Sequence, residues 1–517
     1  MDGNTIIYMS QRLVNRLTFL DWDQTLMGPI CDEQGLEQGG SNSGDLYKIY
    51  NNELLKNVQK SALGIPLSKN LVISGIGLAD DTVMAANKLS SLTNILILTH
   101  DYCNKFSVTL CPEKTKLVRL SKLADEEMEA MNPIVIDGIQ IPFSECAEHV
   151  GILRSTEGNL PNIMNRISAH RKALGAVLFT GLAQRHRANQ VVGLKIEKTY
   201  GNPVLMSGLA SLVLLGSELT LLDQHCKKIY QNIQKLHPKT PDCVIYFLAG
   251  CLPASAEIHL RQLSLFGMVT RLAQDPLNIH ARNILTEARK SSKSWFCQIR
   301  EICLQYNLPH PLELIENPPN KIDFKKKVKS SIINYWEHKL RGEADYLQSL
   351  TWFKPNFMSL SKPHPIWTTV GSNPHEVSKA VQQARFLSGR YRSESLARHW
   401  SQNRNGYCLL ETCENQIEDT EHILINCNAY IECKKMLYSL WLLNRNPAIH
   451  RLVLEALSNT REYLLQFILD CSTLPSVILA VQNHGIYILD ELFYLTRSWC
   501  FSIHRERMRR LGRWNYQ

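Results

Sequence analysis

Two groups of side chains in this sequence have the types and spacing to do chemistry. The first is Asp80-Asp81, set between the apolar stretches Leu71-Val72-Ile73 and Val83-Met84-Ala85-Ala86. Adjacent carboxylates at the tip of a short strand–turn–strand repel each other. A divalent cation relieves that repulsion, and Mg²⁺ is typically held through one or two carboxylates together with substrate phosphates. Asp-Asp pairs also occur in plain surface turns, so the neighbouring residues decide between the two readings. The second group is Cys408, Cys413, His422 and Cys427, separated by four, eight and four residues. Zn²⁺ takes four soft or borderline ligands in a tetrahedron, and three thiolates with one imidazole make a closed structural site. His422 and Cys427 fall about one helical turn apart, with apolar Ile423, Leu424 and Ile425 between them. Cys433 is near enough in sequence to be an alternative ligand, and four incidental residues in a Cys-rich chain are the plain alternative.

Basic groups form a third set. Arg166, His170, Arg171 and Lys172 share one short stretch, and Arg505, Arg507, Arg509, Arg510 and Arg513 crowd the C-terminus beside Trp499 and Trp514. Cations interleaved with aromatics suit a nucleic-acid backbone with stacked bases. A solvated helix face, or cations complementing the negative end of a helix, would look the same.

The elements that must position these groups follow from periodicity. Residues 1–157 mix short β-type runs with turns, and Ile134-Val135-Ile136-Asp137-Gly138-Ile139-Gln140-Ile141 predicts a hairpin turning at Asp-Gly. From Leu160 the pattern becomes helical: Ile163, Ile167, Leu174, Val177 and Leu178 recur at helical spacing, and Pro161 suits a first helical turn. Pro309, Pro311, Pro318 and Pro319, followed by Lys321 and Lys325-Lys326-Lys327, read as a linker over 301–372. Beyond about residue 373 the chain is helical again. The division expected is therefore 1–157, 158–300, 301–372 and 373–517, with the Cys/His cluster at 408–427.

The 517 residues, 44% hydrophobic, can bury more than one core. The net charge of +9 suits a polyanionic partner or simple solubility. Fifteen cysteines form no paired framework and no signal peptide opens the chain, so reduced thiols in the nucleus or cytoplasm, not secretion, are expected. No uninterrupted apolar run reaches the roughly 18–20 residues of a membrane span. The nearest, 204–215, is broken by Ser207, Gly208 and Ser211 and reads as a buried helix.

Four motifs in order give a resemblance. Gln38-Gly39 followed by Ser43, Leu78-Ala79-Asp80-Asp81, Lys114-Thr115-Lys116, and His149-Val150-Gly151-Ile152 resemble successive motifs of the palm of a reverse transcriptase from a non-LTR (LINE-type) retrotransposon. The likeness continues through 195–209 to the Cys408–Cys427 cluster, which resembles that family's C-terminal zinc knuckle. Gly44 stands where the family has Pro, and Leu78 where it has an aromatic. The resemblance implies an α+β fold: a partial polymerase palm (an antiparallel sheet with helices), a helical thumb and connection, and a helical C-terminal region with a small zinc site. It implies RNA-directed DNA polymerisation by two-metal nucleotidyl transfer. Asp80 and Asp81 would hold Mg²⁺ and Lys114 would face the departing pyrophosphate. Gln38, Gly39 and Ser43 would line the nucleotide and template pocket, with His149 and Gly151 in the primer grip. Arg166, Arg171 and Lys172 would contact nucleic acid, and Cys408, Cys413, His422 and Cys427 would hold Zn²⁺. The implied partners are an RNA template, a DNA primer or target and dNTP, with no membrane. Such enzymes use a third carboxylate on a strand well upstream of Gln-Gly. Only 37 residues precede Gln38 here, and Asp21 and Asp23 lie too close to it to fill that place. The expectation is a C-terminal portion of the enzyme, inactive alone. The alternative is a non-catalytic zinc-containing remnant that binds nucleic acid.

Overall fold

Short apolar runs separated by tight turns pair two by two. The computed structural model describes residues 16–32, 43–68, 71–78, 81–106, 108, 110–111, 113–120, 134–136, 138–177, 189–273, 275–287, 294–399, 403–413 and 415–512. It divides into two units, Met1–Gly158 and Asn159–Gln517. The whole is a mostly helical α+β protein with small sheets.

In the first unit, β1 (Arg16–Trp22) and β2 (Thr25–Asp32) form an antiparallel ribbon. Its turn places Asp23 and Gln24 at φ of 51° and 66°, the mirror-image turn that matches strand twist. β3 (Ile65–Ser68) pairs with β4 (Leu71–Ile73), and β5 (Gly75–Leu78) with β6 (Asp81–Met84). β7 (Leu117–Val118) pairs in parallel with β10 (Phe143–Ser144). β8 (Val135–Ile136) and β9 (Ile139–Gln140) form the hairpin expected at Asp-Gly, with Gly138 at φ 76°. β11 (Cys146–His149) and β12 (Ile152–Ser155) close the series. Helix α1 (Ser43–Lys60) contributes Leu54 and Val58, and α2 (Leu89–Lys105) contributes Ile95, Tyr102 and Cys103, to one core cluster. Leu96 of α2 packs with Leu117, Ile134, Ile136 and Ile141 in a second. The antiparallel sheet implied by the resemblance is not assembled among the described residues, because every ladder there has two strands and one is parallel. Strands mostly of two to four residues offer too few ladder hydrogen bonds to recruit a third.

The second unit is helical. It includes α3 (Leu160–Val177), α4 (Gly216–Ile233), α5 (Asp242–Ala249), α6 (Ala254–Thr270), α7 (Lys321–Asp345), α8 (Pro374–Leu387) and α9 (Tyr487–Arg510). The expected linker at 301–372 is instead folded. Pro311 starts the short helix Pro311–Glu316, where its missing N–H costs nothing. Asn320 caps α7 by accepting the Ile322 N–H, and Phe324, Val328, Ile332, Trp336 and Leu340 recur every four residues as its buried stripe. The lysines are the wet face of that amphipathic helix. The 204–215 stretch is not one helix either. Asn202–Met206 ends where Gly208 turns at φ 75°, and a 3-10 turn, Leu209–Ser211, follows. The apolar residues are nonetheless buried, Leu205, Leu209, Leu212 and Leu214 among them.

One stretch, Arg461–His484, is long and apolar enough by composition to cross a membrane, although Glu462, Gln466 and Asp470 keep it from being an uninterrupted apolar run. The 3-10 turn Cys471–Thr473 interrupts it, and 61% of its most apolar window is buried within the fold.

Candidate metal centre

The Cys/His cluster is built by a narrow loop and one distorted helical turn. Gly406, at φ 84°, opens the loop, and its carbonyl accepts the Glu418 N–H at 2.9 Å. Tyr407 and Ile417 bridge antiparallel, and the Cys408 N–H donates to the Gln416 carbonyl at 2.8 Å. The loop between them turns back so that the Cys413 N–H reaches the Leu410 carbonyl at 3.0 Å. Asp419 then caps the next element by accepting the His422 N–H at 2.7 Å. That element, His422–Asn426, is a π-helical turn, and the Cys427 N–H closes it onto the His422 carbonyl at 2.7 Å. Single π turns are frequent at functional sites, because they shift a side chain off the ordinary helical register.

These elements bring one donor atom each from Cys408, Cys413, His422 and Cys427 within 4.8 Å of one another. Cys413, His422 and Cys427 are buried and Cys408 is half-buried. The Cys413 and Cys427 sulfurs are 3.4 Å apart. That is far beyond the roughly 2.05 Å of a disulfide and close to the edge of about 3.8 Å that a tetrahedron with 2.3 Å Zn–S bonds requires. His422 Nε2 is buried and has no hydrogen-bond partner. An orphaned buried imidazole nitrogen costs about 1–3 kcal/mol unless something binds it, and a metal ion would. The four residues fit a divalent, thiophilic ion such as zinc, which would contribute folding free energy to this region.

The electrostatics agree. A hydrogen bond from the Cys427 thiol brings Cys408 down to about 4, while the same bond and burial push Cys427 up. Burial alone would raise Cys413, yet bonds from Cys427 and the Thr412 hydroxyl leave it below its ordinary value. Burial alone would lower His422, and the thiolates of Cys408 and Cys413 raise it. The thiolate form is thus already favoured at Cys408 and Cys413, while Cys427 holds its proton until a metal's charge displaces it. Lys434, on the helix Ile431–Leu442, buries its ammonium at the same place and donates to the carbonyls of Ile425 and Cys427 at 2.5 and 2.8 Å. Three thiolates on a divalent ion carry one net negative charge, which this ammonium offsets. Lys434, Asp419 and the partners of Glu418 escaped the sequence reading; only the nearness of Lys434 to Cys427 could have hinted at one of them. Cys433 is not part of the cluster.

The other predicted residues are not gathered into a comparable group. Gln38, Gly39 and Asp80 lie outside the described residues. Asp81 is the first residue of β6, opposite Leu78 across the hairpin, and is exposed. Ser43 opens α1 and is half-buried. Lys114 is exposed on a turn in which its N–H donates to the Cys111 carbonyl at 3.2 Å. His149 ends β11 opposite Ile152, and the two-residue turn between them is Val150-Gly151, at φ of 51° and 72°. A β-branched residue there is strained. Arg171 and Lys172 are exposed on α3, and Arg166 is half-buried with its Nε unpartnered.

Two basic groups turn out to be structural. His170 is buried on α3, sharing hydrogen bonds with His225 of α4 at 2.8 Å and Glu197 at 2.9 Å. The three run in line, not around a common centre. Its position between Ile167 and Leu174 on the apolar face was the signal for burial. Arg507, near the end of α9, is also buried and makes a two-pronged pair with Glu418, at 3.0 and 2.8 Å. Arg509 and Arg510 both reach Glu506, and Trp499 is fully buried, donating to the Leu424 carbonyl at 3.2 Å. Arg513 and Trp514 lie outside the described residues.

Comparison with protein-family models and with curated proteins finds no match to this chain.

Proposed function

We propose that this chain is the C-terminal portion of a LINE-type reverse transcriptase, acting in nucleic-acid binding through a helical region stapled by zinc. The observation that carries the reading is the Cys3His cluster, four donor atoms within 4.8 Å with an unpartnered His422 Nε2, at the place where the resemblance calls for a zinc knuckle. Support also comes from the two hairpins that hold Asp81 and His149–Gly151 in the expected order. In the full enzyme Asp80 and Asp81 would bind Mg²⁺, clamping the dNTP triphosphate and activating the primer 3′ hydroxyl. Lys114 would lie near the pyrophosphate, and Gln38, Gly39 and Ser43 near the incoming nucleotide and template.

The exposed setting of Asp81 favours a binding role for this chain by itself, since two-metal transfer needs carboxylates fixed around both ions in a dry site. The purified chain should therefore bind an RNA template annealed to a DNA primer, with affinity falling steeply as salt rises. It should not extend the primer with dNTP and Mg²⁺. Extension that vanishes in Asp80→Ala would overturn the non-catalytic part. Failure to bind any RNA or DNA at 50 mM salt would overturn the whole reading.

A further inference from the structure

A cleft of about 440 Å³ lies between α6 and α7, within the range of about 300–1,000 Å³ typical of ligand sites. On the α6 side Glu257, Arg261, Ser264, Met268 and Arg271 follow at spacings of four, three, four and three, which is one helix face. On the α7 side Lys321, Phe324, Lys325 and Val328 line it. The floor is apolar and the rim is basic. Met268 is 57% exposed at the cleft and Phe324 is buried beneath it. Gly267 makes room for Phe324, because a Cβ there would stand 2.8 Å from its ring.

Most of the charge is not spent internally. Among the described residues no ion pair ties Arg271, Lys321, Lys325 or Lys329 to a carboxylate within 4 Å. Arg271 Nη1 and Arg261 Nε are buried without a hydrogen-bond partner, although Arg261 Nη2 donates to Asn202 at 3.0 Å. The single lining carboxyl, Glu257, is raised by burial and faces Arg261, Lys198 and Lys329. Guanidinium N–H groups left unpaired beside a cleft call for a ligand that brings oxygen acceptors. Lys321, Lys325 and Lys329 repeat every four residues, about 6 Å apart along the helix, comparable to successive phosphates of an extended strand.

We infer that this cleft binds single-stranded nucleic acid, with phosphates on Lys321, Lys325, Lys329 and Arg271 and an unstacked base on the Met268–Phe324 floor. The inference rests on the proposed nucleic-acid role and assigns it a place. A duplex offers only its phosphates and would leave the apolar floor uncovered. An acidic peptide would satisfy the rim and leave the floor equally empty, whereas every unpaired base has an apolar face to put there.

The test uses the full chain, loaded with zinc, and a 5′-fluorescein 12-nucleotide single-stranded RNA. Lys321→Ala/Lys325→Ala/Lys329→Ala removes three exposed cations, so folding is not at stake. With about 0.7 of log–log slope per phosphate for single strands, the slope should fall by about 2. The loss of affinity should then be roughly 20-fold larger at 50 mM than at 200 mM salt. Met268→Glu should weaken RNA binding further without loss of the helical circular-dichroism signal. The wild-type chain, irradiated with 4-thiouridine RNA, should crosslink within 257–271 or 321–329. RNA binding that is normal in the triple variant, with crosslinks elsewhere, would overturn the cleft assignment and leave the nucleic-acid role standing. No binding by the wild-type chain would overturn both. Polyglutamate binding the wild-type as tightly as the RNA, and lost in the same variant, would make the cleft a site for acidic peptide and overturn the inference.

Discussion

Glu418→Gln should unfasten the loop that carries the Cys3His cluster from the C-terminal helix. Glu418 and Arg507 are each about 1% exposed. One carboxylate oxygen of Glu418 accepts from Arg507 Nε at 3.0 Å. The other accepts from Arg507 Nη2 and from the Glu394 N–H, both at 2.8 Å. Burial alone would depress Arg507, and the bonds from Glu418 hold it above its ordinary value. The amide of Gln keeps one acceptor oxygen but removes the charge, leaving a buried guanidinium uncompensated. Breaking a buried pair in this way costs about 3–5 kcal/mol. Hydrogen exchange read locally in 406–427 and α9 is the right assay, since a chain of two units need not unfold in one step. Protection there should fall on the order of 10²- to 5 × 10³-fold, with α1 and α2 unchanged. Arg507→Met in the same chain should recover part of the loss, because removing both charges removes the desolvation penalty too. A loss under about tenfold in the single variant, or no recovery in the double, would refute the view that this pair holds the loop.

Acid should destabilise the second unit. His259 and His504 are buried beside Tyr306 and Tyr391, at 2.8 Å from each hydroxyl, and burial brings both down to about 4. The unfolded chain takes up these protons near pH 6.5, so their contribution is complete above that pH. It is lost between about pH 6.5 and 4 with a slope of up to about 2.5 kcal/mol per pH unit, measurable as urea midpoints across that window; a flat profile would exclude it. Gly250 sits at φ 62°, and a Cβ there would stand 2.1 Å from the Lys362 carbonyl carbon. Gly250→Ala should therefore destabilise by about 2–4 kcal/mol from left-handed strain plus displaced backbone, checked by the same denaturation. Cys413→Ser should lose bound metal and lower exchange protection over 403–430, while a chelator should do the same to the native chain.

The Cys3His cluster was legible because thiols and imidazole at short spacing are rare outside metal sites, and all four residues lie within a 20-residue span. The hairpin at 134–141 was legible from its Asp-Gly turn; the one ending at Asp81 was expected from its apolar flanks, but Gly75–Leu78 is its first strand, because Leu71–Ile73 pairs with Ile65–Ser68. The stretch 301–372 was misread because prolines and lysines dominate its composition. Its stripe from Phe324 to Leu340 carried the opposite message, and the prolines mark helix starts. In the arginine-rich tail, the burial of Arg507 was hidden for a different reason. Arg507 is neutralised by Glu418, 89 residues earlier, and pairing at that distance leaves no local pattern. His170 shows the middle case, in which periodicity placed it on the buried face and its charge type suggested solvent.

The most direct measurement is X-ray absorption at the zinc edge on the chain purified under reducing conditions, with metal content from the same sample. One zinc per chain is expected, with three sulfurs near 2.3 Å and one nitrogen near 2.0–2.1 Å, and loss of the nitrogen shell in His422→Ala. A chain free of zinc, or one whose zinc keeps its shell when Cys413 and His422 are replaced, would contradict the assignment of Cys408, Cys413, His422 and Cys427.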